Sequence, residues 1–204
     1  MPVFDLLKLK KFGKSSFSSA IGIICYIWPV ETDGSEANLK NEAYLNSDTN
    51  LKTGNPEKTI FFLSNNEKSL DNFTDFLKNK YQDCSIINKA SPAIEKELNG
   101  YLNGKTKEIS LEPVYLCGTD FEKKIWETAR KIPYGKVSSY KELAENAGYP
   151  NAFRAAGSAL SNNPLMLVVP CHRVIRSNGE IGYFGGGEEI KLMLLNLEQP
   201  QQAE

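Results

Sequence analysis

The sequence predicts an α+β protein in two parts, a small sheet-and-helix domain over residues 1–115 and a mostly helical domain over 116–204. Three observations carry this. Apolar runs of strand length in the first half lie beside an amphipathic helical pattern. At Thr119 the pattern changes to short capped helices punctuated by Gly and Pro. The 204 residues, 41% hydrophobic and 24% charged, form an ordinary globular composition that excludes a disordered or collagen-like chain.

The opening "LKLKKFGKSSFSSAIGIICYIWPV" has the basic-then-apolar order of a signal peptide, but no small-residue cleavage site follows. Its apolar run is too short to span a bilayer, so Ala20 to Val30 is expected as a buried strand and no membrane contact is expected. Residues 31–58 are polar and aperiodic and predict a long mobile loop. "TIFFLSNN" predicts a second buried strand. "SLDNFTDFLKNKY" predicts a helix with Leu70, Phe73, Phe76 and Leu77 on one face. A further short helix starts at Ser91-Pro92 and is expected to stop at Gly100.

In the second half, Thr119 or Asp120 caps "FEKKIWETARKI", whose apolar face is Phe121, Ile125, Trp126, Ala129 and Ile132. Ser138 or Ser139 caps "YKELAENAG", and Pro150-Asn151 opens "AFRAAGSALSNN". The last two make a helix-turn-helix candidate. The second of them has small side chains and one long cation, Arg154, too few base readers for sequence-specific contact in the major groove. Small residues let a helix backbone approach a surface closely. If this helix binds DNA, it should do so with little sequence preference. "LMLVV" predicts a buried strand that delivers Cys171, and "EEIKLMLLNLE" a final helix burying Ile190, Met193, Leu194 and Leu197.

Net charge is −1, but residues 123–176 hold 9 Lys+Arg against 3 Asp+Glu, while 1–122 hold 14 against 17 and 177–204 hold 1 against 5. The basic segment is either a phosphate-binding face or a solvated helix surface. Cys25, Cys84, Cys117 and Cys171 are too scattered for a disulfide framework, and a reducing compartment fits them. With one histidine in the chain, no metal site is expected.

That histidine, His172, directly follows Cys171 in "VVPCHRVI". A nucleophile beside its base and a chance pairing are both open. In an extended strand the two side chains would face opposite ways, so a water relay is the easier link. Glu198 continues the apolar stripe of the last helix and needs a partner if buried; His172 is the candidate, and a frayed, solvated helix end is the alternative. A Glu198-His172-water-Cys171 relay would help to generate a thiolate.

"PCHRVI", with "GYFGGG" after it and "IPYGKVSSYKELA" and "RAAGSALSNNP" before it, resembles the O6-alkylguanine-DNA alkyltransferases, the methylated-DNA–protein-cysteine methyltransferases, over roughly Gly118 to Glu198. The resemblance implies an RNase H-like first domain and a winged helix-turn-helix-like second one. It implies single-turnover transfer of an alkyl group from flipped-out O6-alkylguanine, with O4-alkylthymine a further candidate, to Cys171. His172 would be the base, Glu198 its orienting partner, Asn163 the organiser of the turn, and Tyr140 a donor to the guanine ring. Arg154 would fill the hole left by the base, with Ala155, Ala156, Gly157, Ser158 and Ser139 at the DNA. Val169, Tyr183, Phe184, Gly185 and Gly186 would line the base pocket; Gly185 departs from the hydroxyl residue often found there. No cofactor is implied. The partner would be double-stranded alkylated DNA, the protein a monomer, and its location cytoplasmic, or nuclear in a eukaryote. A non-enzymatic damage sensor lacks such a cysteine, a helix-turn-helix regulator leaves the Cys-His-Glu set unexplained, and a cysteine hydrolase should turn over.

Overall fold

A computed structural model of the chain describes residues 11–30, 44–46, 49–53, 58–81 and 84–199. Strands β1 (Lys11–Ser19) and β2 (Gly22–Pro29) form an antiparallel hairpin with Phe12 opposite Pro29 and Ser19 opposite Gly22. Only one strand was expected there. The sequence of β1, "KFGKSSFSS", buries Phe12 and Gly13, leaves the rest half-buried or, at Ser16 and Ser18, exposed, and is mostly polar, so its apolar signal is weak. Later strands are β3 (Tyr44–Asn46), β4 (Thr49–Thr53), β5 (Thr59–Ile60) and β6 (Phe62–Ser64). The antiparallel pair β3–β4 falls inside the segment expected as a loop, most of which lies outside the described residues.

Helix α1 (Glu67–Lys80) starts at Asn66, whose side chain accepts from Ser69 N, and buries Leu70, Phe73 and Leu77. Strand β7 (Ser85–Asn88) then completes a four-stranded sheet in the order β6-β2-β1-β7, running parallel to β1. Helix α2 (Pro92–Leu102), capped by Ser91, passes through Gly100 where a stop was expected. Buried Tyr101 and Leu102 offset the ~1 kcal/mol that a helical glycine costs. Strand β8 (Glu112–Pro113) pairs in parallel with β5.

Helix α3 (Asp120–Ala129) carries a capping box between Thr119 and Glu122, which selects Thr119 as the cap, and it ends before Ile132. Strand β9 (Ser138–Ser139) leads into α4 (Tyr140–Asn146), where Ser139 and Glu142 form a second capping box. Helix α5 (Phe153–Ser161) packs against α3 and α4. Strand β10 (Val174–Ile175) pairs with β9, and α6 (Glu188–Glu198) closes the described chain. The main apolar cluster joins Tyr26, Ile94 and Tyr101 of the first half to Trp126, Leu143 and Leu194 of the second. Among the described residues no helix is long and apolar enough to cross a membrane.

"LMLVV" is not a strand. Leu165 and Met166 bridge Leu63 and Val169, and the chain reverses at Leu167, which takes φ 71°. A buried reversal needs its polar groups satisfied. Val169 N donates to Leu165 O (2.8 Å), Met166 N to Leu63 O (3.0 Å), and Leu165 N to Asn163 Oδ1 (2.9 Å).

Candidate active site

The reversal at Leu167 feeds a single 3-10 turn, Cys171–Arg173. At three residues per turn, consecutive side chains point about 120° apart. Cys171, His172 and Arg173 can therefore serve three directions from one point, which a strand does not permit. Cys171 is 8% exposed and faces a cavity. Asn163 Nδ2 donates to its sulfur (3.3 Å) and to Val169 O (3.2 Å), so the residue that braces the turn also holds the thiol.

His172 is fully buried, with Nε2 2.7 Å from Glu198 Oε1. Arg173, unremarked in the sequence, clamps the same carboxylate through Nε (2.9 Å to Oε2) and Nη2 (3.0 Å to Oε1). Tyr101 OH also donates to it, as does Gly135 N (3.0 Å). Burial pushes Glu198 up, but hydrogen bonds from His172, Arg173 and Tyr101 outweigh it and hold the carboxyl at about 2. An ionised carboxylate only accepts, so Nε2 of His172 carries the proton and Nδ1 has the free lone pair. Nδ1 is buried and has no hydrogen-bond partner among the described residues. Desolvation lowers the pKa of His172 and raises that of Cys171, so at rest both are neutral.

Lys191 is also fully buried, its Nζ donating to Val174 O (2.5 Å) and lying 5.9 Å from the Tyr140 ring centroid. Desolvation brings it down to about 8 against the attraction of Cys171 and Glu188. Lys191, Leu194 and Glu198 form the buried stripe of α6, while Met193, expected inside, is 47% exposed. Reading a lysine as surface hid Lys191, although the i, i+3, i+7 spacing places it on the stripe of Leu194 and Glu198.

Tyr140, half-buried at the start of α4, donates to Tyr183 O (3.3 Å), and desolvation followed by the Cys171 charge raises its pKa. Tyr183, Phe184, Gly185 and Gly186 line the cavity with Cys171, and the Phe184 ring meets His172 edge-on at 6.5 Å. Val169, expected in the pocket, is not among the lining residues: it is fully buried and its carbonyl is taken by Asn163 Nδ2 and by Cys171 N (2.8 Å).

On α5, Arg154, Ala155 and Ser158 are exposed, with the Arg154 guanidinium 5.8 Å from the Phe153 ring centroid. Ala156, expected at the DNA, is fully buried because its position faces the core. Gly157 faces Tyr140, where an added Cβ would lie 3.6 Å from the ring. Ser139 spends its hydroxyl as the α4 cap, accepting from Glu142 N (3.1 Å). Of the nine cations in 123–176, Arg173 is internal and Arg130, Lys141 and Arg176 have acidic partners. Lys123, Lys124, Lys131, Lys136 and Arg154 have no ion pair within the described residues.

Residues 120–200 match the family model described as 6-O-methylguanine DNA methyltransferase, DNA binding domain. The chain is 39% identical to the methylated-DNA–protein-cysteine methyltransferase of Methanosarcina barkeri, over 67% of this chain and 89% of that protein. It is 32% identical to the inducible enzyme of the same name from Bacillus subtilis, over 77% and 88%. The chain belongs to the methylated-DNA–protein-cysteine methyltransferase family. A relative from Mycobacterium leprae reaches 46% identity, but over 52% of this chain and 63% of that one. Among solved structures, the O6-methylguanine methyltransferase of Mycobacterium tuberculosis superposes at TM-score 0.64 with 26% identity, over 92% of this chain and 93% of its own. The Mycobacterium tuberculosis protein solved in complex with DNA gives TM-score 0.64 and 27% identity, over 93% and 92%. The methyltransferase family thus accounts for the α+β fold as well as the motifs.

Proposed function

We propose that this protein repairs DNA by moving an alkyl group from O6 of guanine to Cys171, once per molecule. The observation that carries the reading is the buried relay Asn163–Cys171 and His172–Glu198–Arg173, in which the base nitrogen Nδ1 is left free. A guanine in a duplex cannot reach this sulfur, so the nucleotide is flipped out, with Arg154 filling the gap and the exposed α5 residues close to the backbone. The thiol proton passes through a water to Nδ1 of His172, and the imidazolium forms against Glu198, already held ionised by Arg173. The thiolate attacks the alkyl carbon; the S–C bond forms, the C–O6 bond breaks, and its electron pair enters the guanine ring. Burial keeps Tyr140 protonated, as a donor to that ring requires. The thioether has no water-labile bond, so the protein is spent.

The same reading makes alkylated double-stranded DNA the partner, bound as a monomer with little sequence preference, and the cytoplasm the location. Residues 1–115 would serve as an RNase H-like support and 116–204 as the DNA-binding and reacting domain. The test is a peptide mass spectrum after mixing with a duplex carrying one O6-methylguanine. A stoichiometric methyl gain on the Cys171 peptide, absent in Cys171→Ala, is expected. Tight lesion binding without mass change would favour the damage-sensor alternative, and transfer to another residue would refute the assignment.

A further inference from the structure

The turn Cys171–Arg173 touches two cavities that share no lining residue. Cys171 opens on the first, which α1 borders through Phe73 and Phe76. Arg173 lines the second, behind the turn, which measures about 540 Å³. Small-molecule sites measure roughly 300–1,000 Å³ and form preferentially between domains. The walls of this one come from both halves of the chain: residues 107–109 between α2 and β8, residues 130–134 after α3, and Leu167, Val168 and Pro170 of the buried reversal. Alkyl transfer to Cys171 makes no use of this space.

Its chemistry is two-sided. Ile109, Ile132, Leu167 and Val168 form an apolar floor beside the Tyr134 ring, which stands edge-on to Tyr101 at 6.1 Å. Around them are the cations Lys107, Arg130, Lys131 and Arg173, with Glu108 the one carboxylate among the described lining residues. Glu127 neutralises Arg130 and Glu198 neutralises Arg173, but Lys107 and Lys131 have no ion pair within the described residues. Two unpaired lysines against one carboxylate leave the cavity positive. Arg173, 9% exposed, gives Nε and Nη2 to Glu198 and one N–H of Nη1 to Ile132 O (2.7 Å), and the second N–H of Nη1 meets no acceptor among the described residues. A donor this deep is costly to leave unmet, and a ligand oxygen would satisfy it.

We propose that this second cavity binds a small aromatic anion, a flat ring system bearing one phosphate or carboxylate. The ring lies on the apolar floor against Tyr134. The anionic oxygens accept from the ammonium groups of Lys107 and Lys131 and from the remaining N–H of Arg173. Neither an inorganic anion nor an uncharged ring satisfies both sides. The site is independent of alkyl transfer at Cys171.

Calorimetric titration of the full chain with naphthyl phosphate, naphthoate, naphthol and inorganic phosphate tests it, on wild type, the double variant Lys107→Glu/Lys131→Glu, and Ile109→Trp. The expected result is one saturable site for at least one naphthyl anion, with Kd below about 1 mM; the tighter of the two identifies the head group. Naphthol and inorganic phosphate should bind at least roughly 10-fold more weakly, and the lysine variant should weaken the anion by a similar factor. Ile109→Trp, which fills the floor, should abolish binding. Melting temperatures without ligand report whether the variants fold; if Ile109→Trp does not, the lysine variant decides alone, since both its positions are exposed. No saturable binding of either anion by wild type, equal binding of naphthol or inorganic phosphate, or undiminished binding by a folded variant overturns the proposal. A wild type that takes up methyl from O6-methylguanine yet binds no naphthyl anion loses only this site.

Discussion

Replacing Glu198 by Gln asks how much the buried carboxylate contributes to the fold and how much to the chemistry. Glu198 is 3% exposed and bound by His172, Arg173, Tyr101 and Gly135. Its shift from about 4.3 in an unfolded chain to about 2 is worth ~3 kcal/mol at 1.36 kcal/mol per unit. Breaking a buried ion pair on one side costs a similar amount, about 3–5 kcal/mol. For a chain of this size, 3 kcal/mol lowers Tm by roughly 6–12 °C. The folded pKa lies below the unfolded one, so the stabilisation is full above about pH 4.3 and is lost as pH falls through about 2. Arg173→Met should cost as much as Glu198→Gln, and the double variant, which removes both charges, should regain part of the loss. Transfer rate should not be regained, because the imidazolium still lacks its counter-charge. Denaturant unfolding and single-turnover methyl transfer on all four proteins decide it. Additive costs below ~1 kcal/mol each, or a double variant with wild-type rate, would refute the reasoning.

Three other outcomes are expected. Because burial lowers the pKa of His172, the rate of methyl transfer should hold as pH falls through about 6.5 and decline only below it; a midpoint at or above 6.5 in the pH–rate profile would count against a neutral buried base. Arg154→Ala should slow transfer from duplex DNA far more than from a single strand, where no stack has to be filled, and equal slowing would deny Arg154 that role. Alkylation of Cys171 adds a group beside the Asn163 amide at 3.3 Å, so the spent protein should lose about 1–3 kcal/mol; an unchanged calorimetric Tm would show that the cavity absorbs the group without strain.

Much of the site was legible because its residues are rare or out of place. One histidine beside a cysteine, and a glutamate on an apolar helix stripe, point to each other before any coordinates exist. Arg173, Lys191, Tyr101 and Gly135 were not legible. A cation reads as surface until a fold buries it, and Tyr101 and Gly135 reach Glu198 from elements 97 and 63 residues away. The run Leu165 to Val169 misleads for the same reason: a β-branched apolar run is the usual mark of a strand, yet here Asn163 Oδ1 and Leu63 O accept from Leu165 N and Met166 N and allow a buried reversal.

By itself, the sequence marked the helices, narrowed their caps to Thr119 or Asp120 and Ser138 or Ser139, and set the one histidine beside a cysteine, since capping, turn chemistry and periodicity act over a few residues. Tertiary structure alone decided which atom of His172 is free, which cation neutralises Glu198, and that α1 borders the pocket. Those depend on burial and on contacts between distant segments, and local pattern carries no information about either.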